Sequence, residues 1–127
     1  MNLIVSTRVD ELHIRFDVEG KWRYGDALGL AYLIKAGAAR AAREDIVVDL
    51  RRLVTPPGVY GKFMFCDRLH RALPTTTNVA VIAVPELLDD ENSTDVNEGP
   101  RVGCFTFEPE ALHWLHRKNP SDLRTEG

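Results

Sequence analysis

Cysteine is scarce in this sequence, which has only Cys66 and Cys104 among 127 residues. A domain of this length encloses an adequate core without a bridge, so the expectation is two reduced, buried thiols rather than a disulfide framework. Long apolar runs are missing too. No stretch approaches the roughly 20 residues that cross a bilayer, and Met1 to Arg8 has neither the basic segment nor the apolar core of a secretory signal. Cytoplasmic residence with no membrane span is the resulting expectation. Positive charge is not in excess. Sixteen Lys and Arg stand against 19 Asp and Glu, for a formal net charge of −3. With the two signs mixed along the chain, no broad field favours phosphate contacts, and nucleic acid is not expected as a partner.

Motifs that carry chemistry are absent as well. The sequence has no Gly-x-Ser-x-Gly elbow, no phosphate loop ending in Lys-Ser/Thr and no dinucleotide glycine fingerprint. No cofactor is expected. Asp49 ends an apolar run as the phospho-acceptor of a response-regulator receiver does, but the acidic pair after the first strand and the lysine at the last one are missing, which excludes that class. The carboxylates from Asp89 to Glu98 lack the spacing and turn glycine of a calcium loop. What is present is an ordinary globular composition, 44% hydrophobic and 28% charged.

Leu3 to Thr7 is a short apolar run. Leu12 to Glu19 alternates strictly, which predicts a strand with Leu12, Ile14, Phe16 and Val18 facing the core and His13, Arg15, Asp17 and Glu19 facing out. The four intervening residues predict a hairpin. From about Tyr24 to Arg43 the spacing is helical, with Ala27, Leu30, Ala31, Ile34, Ala38 and Ala41 forming a seam of mostly small residues that lets the helix lie close to a sheet. The β-branched run Ile46 to Leu50 predicts a central strand covered on both faces. Val79 to Val84 predicts a second and Arg101 to Phe107 a third. Helices are expected over Val59 to Leu73, ended by Pro74, and over Pro109 to Arg117. Pro85 to Pro100 reads as an acidic loop with a short helical turn near Glu86 to Leu88, and Asn119 to Gly127 as a polar tail. The order β-β-α-β-α-β-(short α)-β-α predicts an α/β fold with a mixed, mainly parallel sheet, forming one domain over residues 1–118 with a tail over 119–127.

Candidate binding residues gather around one connection and the helix after it. The segment Arg51 to Gly58 reads as a loop at the carboxyl end of the central strand, where Arg51, Arg52 and Thr55 offer side-chain donors and Gly58 opens the helix. On that helix Val59, Phe63, Cys66, His70 and Leu73 share one face, while Tyr60, Met64 and Phe65 spread around the others. A helix apolar nearly all round has a second surface to cover, either a homodimer interface or the wall of a ligand cleft. In the dimer reading Tyr60, Phe63, Met64 and Phe65 meet a protein partner. In the carrier reading Tyr32, Tyr60, Phe63 and Met64 line an apolar cleft, with Arg51 or Arg52 pairing with an acidic head group. Cys66 with His70, and His113 with His116, have the spacing to share helix faces as metal ligands. No metal-binding motif supports them, so a packed His70 and solvated His113 and His116 are expected, with no metal. Cys66 and His70 are also the only players for a third alternative, a thiol enzyme.

Three stretches, Val18-Glu19-Gly20 leading into the first helix, Ile46-Val47-Val48-Asp49-Leu50-Arg51, and Phe105 to Leu115, resemble the STAS superfamily. More specifically, they resemble its SpoIIAA-like branch, the fold of anti-sigma-factor antagonists. The resemblance spans nearly the whole chain and implies a non-catalytic regulatory or scaffolding module that works through protein contacts. Phosphorylated members carry a serine or threonine where the loop after the Asp-Leu strand enters the next helix. In this chain that place holds Pro57 or Gly58, so the switch does not carry over directly, and Thr55 is a displaced hydroxyl nearby. The acidic Pro85 to Pro100 segment also departs, since relatives are more helical there.

Overall fold

The computed structural model describes residues 3–23, 25–55, 58–84 and 100–117. In chain order the elements are β1 (Ile4–Val9), β2 (Ile14–Lys21), α1 (Asp26–Ala41), β3 (Asp45–Thr55), α2 (Val59–Ala72), β4 (Asn78–Ile82), β5 (Arg101–Phe105) and α3 (Glu108–Arg117). The five strands form one sheet in the order β1-β2-β3-β4-β5. β1 runs antiparallel to β2, whereas β2, β3, β4 and β5 are parallel to one another. The expected hairpin and parallel βα units therefore share a mixed sheet, with β3 at its centre. The expected helical turn near Glu86, the acidic segment around it and the tail over 119–127 lie outside the described residues.

Alternation along the strands divides the core in two. Phe16 and Val18 of β2, Ile46, Val48 and Leu50 of β3, and Val79 and Val81 of β4 meet Leu30, Ala31 and Ile34 of α1 and Phe65 and Leu69 of α2. The intervening positions Val47, Ala80 and Ile82 meet Ala111 and Leu115 of α3. Helices thus cover both faces, which is why β3 and β4 read as continuous apolar runs. α1 lies close to β2 through its small residues. A Cβ at Gly37 would approach the Phe16 ring to 2.9 Å, so a hydrogen at that position is what allows the contact. Asp26 holds the start of α1 by accepting the Arg23 backbone N–H at 2.7 Å.

Three expectations about facing and length are corrected. Leu12 precedes β2 and is 61% exposed, because the paired register begins at Ile14 against Val9. His13 and Arg15 do not face water, since α3 returns across their side of the sheet and both are buried. Phe65, expected on the partner-binding surface, instead turns to the core with Leu69 and Leu73. Phe65 is 1% exposed and Phe63 62%. Because α2 packs on α1 as well as on the sheet, its inward direction lies between the two, with the Phe65 ring meeting Trp22 edge-on at 5.8 Å. The Val59 side chain lies outside the described residues.

This register predicts a contrast between neighbouring phenylalanines. Phe65→Ala is expected to cost about 3–5 kcal/mol of stability, whereas Phe63→Ala stays within about 0.5 kcal/mol. Urea denaturation of both variants checks the assignment.

Candidate functional site

The polar side of β2 becomes a network of ion pairs under α3. The Arg15 guanidinium donates to Asp17 at 3.0 Å, to Asp49 at 2.8 Å and to Glu108 at 2.9 Å. Parallel pairing brings this about, because Asp17 and Asp49 are register partners and Glu108 lies in the first turn of α3. Arg51 closes the cluster, donating to Asp49 at 2.7 Å and to Glu108 at 2.9 Å. Burial alone would raise the Asp49 pKa, but hydrogen bonds from the Arg51 side chain and backbone, with the charges of Arg51 and Arg15, hold it below the usual carboxylate value. Glu108 follows the same pattern, with burial overcome first by its hydrogen bond from Arg15 and then by Arg51.

At the other end of α3, His116 Nε2 and His13 Nδ1 are 3.3 Å apart, and His13 Nε2 lies 3.3 Å from Asp10. Burial outweighs Asp10 and lowers the His13 pKa, so His13 is neutral at pH 7. His116 is thus partly buried against β2 rather than solvated, while His113 is exposed as expected.

The expected Arg51–Gly58 loop is shorter than the sequence implies, because β3 continues to Thr55. Two shifts in the β2–β3 register, after Asp17 and after Gly20, each take up an extra residue of β3 and carry the pairing on to Lys21 and Thr55. Arg51 and Arg52 are therefore strand residues. Arg51 is committed to Asp49 and Glu108, and Arg52 is exposed beside Glu19 at 3.7 Å. Neither one lines the cleft described below. The Thr55 side chain and Pro56–Pro57 lie outside the described residues. Gly58 is the exposed N-cap of α2 in extended backbone and makes no side-chain cap.

The expected aromatic surface divides. Tyr60 and Phe63 face solvent, and Leu28 and Tyr32 of α1 are also exposed. Phe65 belongs to the core and leaves the candidate surface, and Met64 is partly buried against that core. Between the starts of α1 and α2 is a cleft of about 220 Å³ lined by Trp22, Leu28, Tyr60, Met64 and Arg68 among others. Tyr60 and Met64 line it as the carrier reading required, but Tyr32 and Phe63 do not, and its arginine is Arg68. Sequence reasoning passed over Arg68, although its spacing of i+4 from Met64 and i+8 from Tyr60 puts all three on one helix stripe.

Cys66 and Cys104 are free, and their thiols hydrogen-bond across α2 and β5. That bond, together with burial, pushes the Cys66 thiol far above its ordinary value, the opposite of an activated nucleophile. The His70 Nε2 is buried without a hydrogen-bond partner. Cys66 and His70 lie on the α2 side of the sheet and His113 and His116 on the α3 side, so the two pairs do not meet. Among the described residues no three His, Cys, Asp or Glu side chains converge as metal ligands, and no helix is long and apolar enough to cross a membrane.

This three-layer arrangement, with α1 and α2 on one face and α3 on the other, is a fold found in a solved anti-sigma factor antagonist. A crystal structure of an anti-sigma factor antagonist from Mycobacterium paratuberculosis superposes with a TM-score of 0.64 at 16% identity, covering 90% of this chain and 94% of that one. An uncharacterised protein with a SpoIIAA-like fold from Shewanella loihica aligns over the same shares at 17% identity and a TM-score of 0.48. Neither a family model nor a curated protein matches the sequence, so the likeness is one of fold.

The shifted groups make stability fall with acid in two steps. His13 has a folded pKa below its ordinary 6.5, so the unfolded chain takes up its proton first, and the stability gained by keeping it neutral drains as pH falls below that value. Asp49 and Glu108, also depressed, add stability that is complete above about pH 5 and is lost as pH falls through their folded values. His13→Gln is expected to remove the upper step from a plot of Tm against pH. Arg15→Met is expected to cost about 3–5 kcal/mol at pH 7 and to flatten the lower step.

Proposed function

We propose that this chain is a non-catalytic regulatory or scaffolding module that works through protein contacts. It pairs with a second copy of itself through the exposed aromatic face of α2 and the adjoining face of α1. The observation that carries this reading is the solvent-facing placement of Tyr60 and Phe63, at 66% and 62% exposure. Leu28 and Tyr32 lie one turn apart on the neighbouring helix and are exposed as well. A lone apolar side chain on a surface needs no account, but large ones gathered on adjacent helix faces mark places where another protein docks. Tyrosine and phenylalanine supply large contact area at small entropic cost, and aromatics are enriched at interface centres.

The fold supports the same reading, since the solved relative from Mycobacterium paratuberculosis is by description an antagonist of another protein, the anti-sigma factor. Cytoplasmic residence belongs with this role. Arg52 and Gly58 are exposed where β3 leads into α2, and Thr55, between them in sequence, is the candidate hydroxyl for modification. The bond between the two thiols raises Cys66 and lowers Cys104 to about 7, which weighs against Cys66 as the nucleophile of a Cys66–His70 pair.

Sedimentation velocity over a concentration series tests the proposal. The expected result is a reversible monomer–dimer equilibrium in the native chain, weakened at least about tenfold, or 1.4 kcal/mol, by Tyr32→Glu combined with Phe63→Glu. A native chain that stays monomeric at about 1 mM, where an association worth about 4 kcal/mol is half-populated, overturns the homodimer.

A further inference from the structure

We propose that the cleft between the starts of α1 and α2 binds a small organic monocarboxylate, its apolar body against Trp22, Leu28, Tyr60 and Met64 and its carboxylate on Arg68. The walls and the arginine come from different places in the chain and meet only here. Trp22 follows β2, Leu28 is in the first turn of α1, and Tyr60, Met64 and Arg68 form successive turns of one stripe on α2.

Arg68 gives the cleft its chemical preference. Its Nε is buried and has no hydrogen-bond partner. The acid beside it in sequence, Asp67, is occupied by Arg71 at 2.9 Å. A buried guanidinium N–H that gives up water without an acceptor carries its full desolvation penalty. A carboxylate on this guanidinium supplies, through the charge-assisted bonds that the planar fork favours, the counter-charge that no residue described along the cleft offers. Among the described residues Arg68 is the only charged one lining the cleft, so a singly charged head group is matched where a phosphate dianion is not. The remaining lining is apolar or small, apart from the Tyr60 hydroxyl, and suits a hydrocarbon or aryl body. Size sets the length of that body. A cleft of about 220 Å³ holds about seven water-sized groups at roughly 30 Å³ each, which corresponds to an aryl-acetate or a fatty acid of medium chain and excludes a long-chain lipid lying wholly within it.

Leu28 and Tyr60 belong both to this site and to the proposed dimer face, whereas Trp22, Met64 and Arg68 belong to the cleft alone, so the variants that test each reading do not overlap. The test uses the full 127-residue chain with octanoate and phenylacetate as ligands, and with octan-1-ol and inorganic phosphate as controls. Titrations are followed by isothermal calorimetry and by NMR shifts of the Trp22 indole N–H and the Met64 methyl. Saturable binding of at least one carboxylate is expected, with shifts confined to the cleft. Arg68→Gln is expected to weaken binding at least about tenfold, a loss of 1.4 kcal/mol, and Arg68→Lys to weaken it less. Met64→Trp, which fills the cleft from its wall, is expected to abolish binding while the circular dichroism spectrum is retained, so the site remains testable if Arg68→Gln fails to fold.

No saturable shift with either carboxylate overturns the proposal. So does unchanged affinity in Arg68→Gln, equal affinity for octan-1-ol, or a preference for phosphate. The sedimentation experiment can fail while this one succeeds, and the reverse, so the two readings stand or fall separately.

Discussion

Arg15 lies beneath the first turn of α3 with carboxylates from β2, β3 and α3 around it, and the second layer of the molecule is closed over that group. Arg15 is 7% exposed and Asp49 5%, so both charges have left water and would be costly there without partners. Three acceptors on Arg15 and the second cation, Arg51, keep the set nearly neutral and hydrogen-bonded throughout. The cluster also has directional consequences that a hydrocarbon contact would not impose. It sets Glu108 against Asp49 and Asp17, and so fixes where α3 begins relative to the ends of β2 and β3. From there Ala111 and Leu115 fall onto Val47, Ala80 and Ile82, and His116 reaches His13 at the far end of the helix.

The opposite layer is held by packing. Small residues let α1 settle on β2, with Gly37 against the Phe16 ring, and α2 then fills the space between α1 and the sheet with Phe65 and Leu69. Turning α2 inward through Phe65 turns Tyr60 and Phe63 outward. It also leaves Tyr60, Met64 and Arg68 along the edge that faces the start of α1. The exposed aromatic face and the cleft beside it are thus two results of one helix rotation. One offers area to a protein, and the other offers a confined apolar volume with a single cation.

Legibility in the sequence followed how many neighbours a residue's placement needed. The Ile46 to Leu50 run was readable as a central strand because β-branched residues without alternation have few other stable settings. The α1 seam was readable because small residues at helical spacing serve close approach. Arg15 was misread because alternation reports two faces of a strand and not what lies over each. The complementary charge on Glu108, 93 positions later, was the signal that could have paired them. Phe65 was misread for a related reason: α2 is apolar around most of its circumference, so spacing alone does not choose the inward direction. Arg51 and Arg52 were placed in a loop because no local signal extends β3. The extension comes from pairing with β2 across its two register shifts.

The sequence by itself determined the order of elements, the hairpin followed by parallel units, the centrality of β3 and the absence of recognised catalytic motifs. These follow from local periodicity and residue type, which each segment carries with it. Only the tertiary structure decided that α3 lies over the polar side of β2, that Cys66 meets Cys104, and that Arg68 rather than Arg51 or Arg52 stands at an apolar cleft. Each of these is a meeting of segments far apart in the chain, and where they meet is set by how helices pack on a twisted sheet, a property that no single segment contains.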